Sequence, residues 1–333
     1  MNELTERKPY SIAVGIFFLA LIIRLVYLYQ VSKNPDFFIP LVDSGAYDTA
    51  ASTFVSTGTM EKQFFWQAFF YPMLLSIIYA FAGHSIVTVI IMQTVLGSVI
   101  CVLVYYLGMK IFNRKSAILA ATAIAFYGPL IYFGAELLAT VWASFWALIL
   151  IFLFLIVVNR NNLWLYFVLG ICGGLSIITR ATFIPFFAFT CLWLASSMRR
   201  RSMKWKPILL AETMILIGVL FIVIPVSIQC YRVTGLFSPL PESGPINLYI
   251  GNNSDLPGIR AMRPGEEWDE ILLMPIREGY RTRLELVGIL LACATSADNT
   301  RYQAMGQNGC SLHQSRARLH ARPDLTRPWL WQW

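Results

Sequence analysis

The sequence predicts an all-α, polytopic membrane bundle of about seven transmembrane helices, with interfacial helices in its first outer loop. Three observations predict it. Of 333 residues, 57% are apolar and only 13% charged, with a mean hydropathy of +0.61, whereas a soluble domain carries about 25% charged residues. Much of the surface therefore faces lipid, which excludes an ordinary cytoplasmic enzyme and a disordered chain. The apolar residues come in runs long enough, at about 1.5 Å per residue, to cross a hydrocarbon core of about 30 Å. Within a formal charge of +8, most basic residues up to Lys206 gather in alternate connectors, as the positive-inside rule requires.

The first run, 11–31, follows Arg7 and Lys8, is too long for a signal-peptide core and lacks a small-residue cleavage site. It reads as an uncleaved first span. Further apolar runs cover 67–82, 86–109, 116–134, 138–158, 163–179, 182–197 and 207–228. Eight full crossings would force the strongest basic cluster, Arg199, Arg200, Arg201, Lys204 and Lys206, to the outside. The conflict disappears if 67–82 does not cross. That run is short, carries Pro72, and follows Phe64, Phe65 and Trp66 with Phe69, Phe70 and Tyr71, an aromatic density typical of a membrane interface. It is expected as an interfacial or re-entrant element on the outer side. The basic connectors at 110–115 and Arg160 then lie inside with the N-terminus. The outer side receives a long loop at 32–85, tight turns at 134–137 and around Arg180, and a fourth segment from 229. Gly170 and Gly174 form a G-x-x-x-G that lets two helices approach closely. The six cysteines show no C-x-x-C spacing, and Cys101, Cys172 and Cys191 sit inside apolar runs as small hydrophobes.

Polar groups at membrane depth or at the lips of spans are costly, so function is sought there first. Asp43 opens a stretch in which Tyr47, Ala50, Ala51 and Phe54 recur at helical spacing, the pattern of a short amphipathic helix on the outer interface. It can serve as the N-cap of that helix, or as a general base over a membrane-facing cavity. Glu136, the only acidic residue between Glu61 and Glu212, occupies an outer turn on the same side. It is either an exposed loop carboxylate or a second acid that shares a metal, a cationic substrate or catalytic work with Asp43. Arg24 lies inside the first span, about two turns from its outer end, where it can snorkel to the interface. Arg180 breaks the positive-inside pattern, and a guanidinium at an outer lip suits either a phosphate or lipid headgroups. No Walker loop, dinucleotide fingerprint or zincin motif is present, so no nucleotide cofactor is expected and a divalent metal is left open. The basic residues mark connectors rather than an aromatic-interleaved face, so nucleic acid is not an expected partner.

The order of these features resembles the C-type glycosyltransferases, in particular the bacterial members related to protein O-mannosyltransferases and aminoarabinose transferases. The features are the Arg-bearing first span, the Asp43-Ser44-x-x-Tyr47 helix, the aromatic-Pro element, Tyr105 to Arg114, the acidic turn, and Gly174 to Arg180. The segment from Tyr231 to Gly235 and the one from Asn247 to Asn253 complete the likeness, which runs over about residues 7–283. The resemblance implies transfer of a sugar from a polyprenyl-phosphate donor to a protein, lipid or glycan acceptor. It places the activity on the periplasmic face of the bacterial inner membrane. It further implies that Asp43 and Glu136 are catalytic, and that Arg24, Tyr47, Asp48, Arg180 and Asn252 bind substrate.

Residues 1–283 are expected to form the membrane-embedded core. Beyond them only 286–294 is apolar, and the arginines of 284–333 follow neither period nor sidedness. This atypical tail, without a span, is expected to reflect a truncation or frameshift that could leave an enzyme inactive. The alternative function is a transporter or flippase of a lipid-linked or small polar substrate, which predicts polar residues near the midplane and a repeat; no repeat is visible. A membrane scaffold without chemistry is a third reading.

Overall fold

A computed structural model describes residues 8–244 apart from 159, 161 and 242. Asn252 and the expected tail lie outside the described residues. Within them the chain forms α1 (Lys8–Val31), α2 (Asp43–Thr57), α3 (Phe70–Ala82), α4 (Ile86–Ile111), α5 (Arg114–Ala125), α6 (Gly128–Tyr132), α7 (Thr140–Val157), α8 (Leu163–Thr179), α9 (Phe183–Arg200) and α10 (Trp205–Thr234). Four of these, α1, α4, α7 and α10, are long and apolar enough to cross a membrane. Together with α5, α8 and α9 they correspond to the seven expected spans, and the described residues contain no strand.

Small residues set the helix spacing. Ala13, Ile16 and Ala20 of α1 pack on Cys101 and Tyr105 of α4 and on Ala117, Ala121 and Ala125 of α5. The N-terminal half of α1 therefore meets the C-terminal half of α4. The G-x-x-x-G stripe lies against α10, where a Cβ on Gly170 would fall 2.1 Å from the Ile215 carbonyl oxygen and one on Gly218 2.3 Å from that of Phe167. No side chain fits either position without moving backbone.

The expected span 116–134 is broken. Helix α5 stops at Ala125, four residues before Pro129, whose ring clashes with that carbonyl and which has no N–H to continue the ladder. At 12 residues it is about 18 Å long. Helix α3, with 13 residues, is about 20 Å long and too short to span. Gln67, just before it, bonds Asp43, and Tyr79 near its end bonds Asp48, so both ends of α3 stay at the same end of the bundle. The aromatic residues ahead of it are not interfacial anchors: Phe64 and Phe65 are 1% and 3% exposed, packed with Ala50 of α2 and Cys230 of α10.

Charges separate along the bundle. Arg201 Nη1 donates to the Val158 carbonyl and Lys110 Nζ lies 5.1 Å over the Phe152 ring, gathering the ends of α4, α7 and α9. Asp43, Asp48, Glu136 and Arg180 belong to the other end.

Two outcomes follow from this packing. Gly170→Ala lowers stability in detergent by about 1–3 kcal/mol, as overpacking does. Gly15→Ala, where nothing lies within 4 Å, leaves the unfolding midpoint within error. In intact cells, and in a background lacking the native cysteines, an impermeant thiol reagent labels Ser56→Cys and spares Lys115→Cys. The reverse pattern would invert the topology.

Candidate active site

Helix α2 presents the candidate base. Asp43 is not the N-cap expected from the sequence: the cap position falls on Val42, with φ 53° and ψ −122°, and Asp43 is the first helical residue. A β-branched residue at positive φ is an outlier, and here it is the residue at which the chain turns into the helix. Asp43 is exposed, and its Oδ1 accepts from Gln67 Nε2 at 3.0 Å. The other face of the Gln67 amide takes the Ser243 hydroxyl at 3.5 Å, so the chain after α10 closes over the same point. Tyr47, one turn beyond Asp43, is 7% exposed and sits edge-to-face on Tyr71 of α3 with ring centroids 4.9 Å apart.

From Tyr71 a polar network crosses the bundle. Tyr71 Oη donates to Gln93 Oε1 at 2.7 Å, and Gln93 Nε2 donates to the carbonyl oxygens of Gly134 at 3.1 Å and Glu136 at 2.7 Å. The turn that carries Glu136 is thereby fixed to α4. The Glu136 side chain is half-buried and its carboxylate makes no hydrogen bond among the described residues. Four residues on, Thr140 Oγ1 accepts from Arg180 Nη2 at 3.0 Å. Arg180 itself is exposed at the end of α8.

The phenols report the surrounding charges. Burial raises the Tyr47 pKa, the Asp43 charge raises it further, and Arg180 pulls against both. Tyr47 thus lies within electrostatic reach of the two residues. Burial likewise raises Tyr71, with smaller contributions from Tyr79, Tyr47, Asp48 and Glu136. These side chains remain hydrogen-bond donors across the physiological range.

Asp48 is held rather than free. Tyr79 Oη donates to its Oδ1 at 2.6 Å, and His84 Nε2 lies 2.8 Å from the same oxygen. Arg24 corrects the snorkelling expectation. It is 4% exposed, with Nη1 donating to the Ala20 carbonyl at 3.1 Å and Nη2 to Cys101 Sγ at 3.8 Å. Gly97 of α4 makes the room, since a Cβ there would lie 2.8 Å from Arg24 Nε. Among the described residues the hydrogen-bond partners of Arg24 are on α1 and α4, and none is Asp43, Glu136 or Arg180.

Beside this end of the bundle runs a groove of about 760 Å³ lined only by apolar side chains, among them Phe70 and Met73 of α3, Leu175 and Ile178 of α8, and Leu220 and Pro225 of α10. Ile178 is two residues from Arg180. Among the described residues no three His, Cys, Asp or Glu side chains converge as metal ligands do.

The sequence reading missed Gln67, Gln93 and His84. Gln93 carried a usable signal, a carboxamide inside an apolar run. Gln67 and His84 carried none, because their partners are 24 and 36 residues away and meet only in the fold. Gln93→Leu leaves Tyr71 Oη and the Gly134 carbonyl oxygen without partners and takes from the Glu136 carbonyl one of its two donors, the Leu138 N–H being the other. It is expected to cost about 1–3 kcal/mol of stability and to expose the Glu136 turn to proteolysis, both measurable on purified protein.

Residues 67–228 match the family model described as dolichyl-phosphate-mannose-protein mannosyltransferase. The matched segment is just under half of the chain; it contains Glu136 and Arg180 and leaves out Arg24, Asp43, Tyr47, Asp48 and Asn252. No curated protein and no solved structure matches the chain. The likeness supports an integral-membrane glycosyltransferase of the type that draws on a polyprenyl-phosphate-linked sugar.

Proposed function

We propose that the protein is an inverting glycosyltransferase that moves a sugar from a polyprenyl-phosphate donor to an acceptor hydroxyl on the outer face of the membrane. The observation that carries the reading is the juxtaposition along α8: Leu175 and Ile178 line an apolar groove, and Arg180 follows at its end. A lipid chain in that groove brings its phosphate to a guanidinium. Asp43 and Glu136 belong to the same end, tied to it through Tyr47, Tyr71 and Gln93.

The chemistry needs little more. The acceptor oxygen attacks the anomeric carbon from the face opposite the phosphate, and the bond from that carbon to the phosphate oxygen breaks. Arg180 meets the charge on the departing lipid phosphate, so no strong general acid is required. The acceptor proton passes to Asp43, whose exposed carboxylate has one oxygen held by Gln67. A retaining route would need a carboxylate nucleophile at the anomeric carbon, a role for which Glu136 would be the candidate. Asp48, locked to Tyr79 and His84, braces α2 against α3, and Tyr47 offers a permanently protonated phenol to the donor. The outer-face assignment rests on the gathering of cations at the opposite end of the bundle.

Sugar transfer from a polyprenyl-phosphate donor, followed in reconstituted vesicles, tests this. Asp43→Asn is expected to lower kcat by about 10²–10⁴-fold, the usual worth of a general base. Arg180→Ala is expected to raise KM for the lipid donor more than for the acceptor. Full activity in Asp43→Asn would remove the mechanism, and transport without transfer would replace it with a flippase.

A further inference from the structure

At the basic end of the bundle, remote from the carboxylates, a second recess of about 510 Å³ lies between the ends of α4, α7 and α8. Its lining divides by chemistry: Lys110 and Arg160 supply two cations, and Leu155, Ile156 and Leu165 supply an apolar wall. Lys110 is pre-positioned over the Phe152 ring. No described carboxylate pairs with either cation: the one ion pair among the described residues, His84 with Asp48, is at the other end. Glu212, the acid on this half of α10, is half-buried and forms no ion pair with either cation. The recess thus carries about two uncompensated positive charges at the level where two long apolar helices leave the hydrocarbon.

We propose that this recess is a binding site for one anionic phospholipid of the leaflet at the basic end. Lys110 and Arg160 hold its headgroup phosphate and Leu155, Ile156 and Leu165 take the start of an acyl chain. A free phosphate would satisfy the cations and leave the apolar wall unused, which is why a lipid is the occupant of choice. Lys110 on α4 and Arg160 in the connector after α7, joined by one headgroup, clasp the ends of α4 and α7.

Native mass spectrometry of the full chain tests this, with phosphatidylglycerol or phosphatidylcholine of identical acyl chains added to delipidated protein. One phosphatidylglycerol is expected to be retained at least tenfold more strongly than phosphatidylcholine. Lys110→Gln with Arg160→Gln is expected to abolish that preference. The charge-conserving pair Lys110→Arg with Arg160→Lys, and the neighbouring pair Arg114→Gln with Lys115→Gln, are expected to keep it. Equal retention of the two lipids would overturn the proposal, as would loss in either control pair or complete displacement by millimolar inorganic phosphate. The readout is independent of sugar transfer, so it stands or falls apart from the proposed reaction.

Discussion

A bilayer offers no water to replace a lost hydrogen bond, so a polar side chain buried in a spanning helix draws its partners from the protein. Gln93, 1% exposed on α4, draws three: the Tyr71 hydroxyl and the carbonyl oxygens of Gly134 and Glu136. Through Tyr71 it reaches α3, and through the Tyr71 ring it reaches Tyr47 of α2. Asp43 and the Glu136 turn, 93 residues apart in the chain, are therefore positioned by one continuous set of contacts. Moving the Glu136 turn requires breaking buried hydrogen bonds, whereas Asp43 is coupled to them through the Tyr47–Tyr71 ring contact.

The spans were readable because they rest on composition, which the bilayer imposes whatever the packing. The places where that reading fell short are those that packing decides. Pro129 was visible in the sequence, yet the apolar run continues through it, and only the clash with the Ala125 carbonyl separates α5 from α6. Phe64 and Phe65 had the composition of a membrane interface and instead fill the space between α2 and α10. Arg24 had the length to snorkel, but Gly97 opens a slot into which it folds. The grouping of Asp43 with Gln67, and of Asp48 with His84, has no sequence signature, because each pair is joined across a loop whose path the sequence leaves open.

Rigidity at the candidate base has a local source as well. Val42 occupies a backbone region costing a β-branched residue of order 1–3 kcal/mol, and the next residue is Asp43. That cost is borne by the burial of Ala46, Tyr47, Ala50 and Ala51 on the helix that follows. The strained residue thus stands directly before the catalytic candidate, at the point where the chain enters α2.

The brevity of α5 bears on the membrane itself. A helix of about 18 Å falls short of a hydrocarbon layer of about 30 Å, a mismatch that lipids absorb by thinning around it wherever α6 and the residues beside it do not make up the length. Where the layer thins, headgroups on that flank lie closer to the Glu136 turn. A lipid phosphate would reach Arg180 with less of its chain withdrawn from the bilayer than a flat surface would demand. On the proposed reaction, the host membrane's thickness would enter the affinity for the lipid donor through the length of α5.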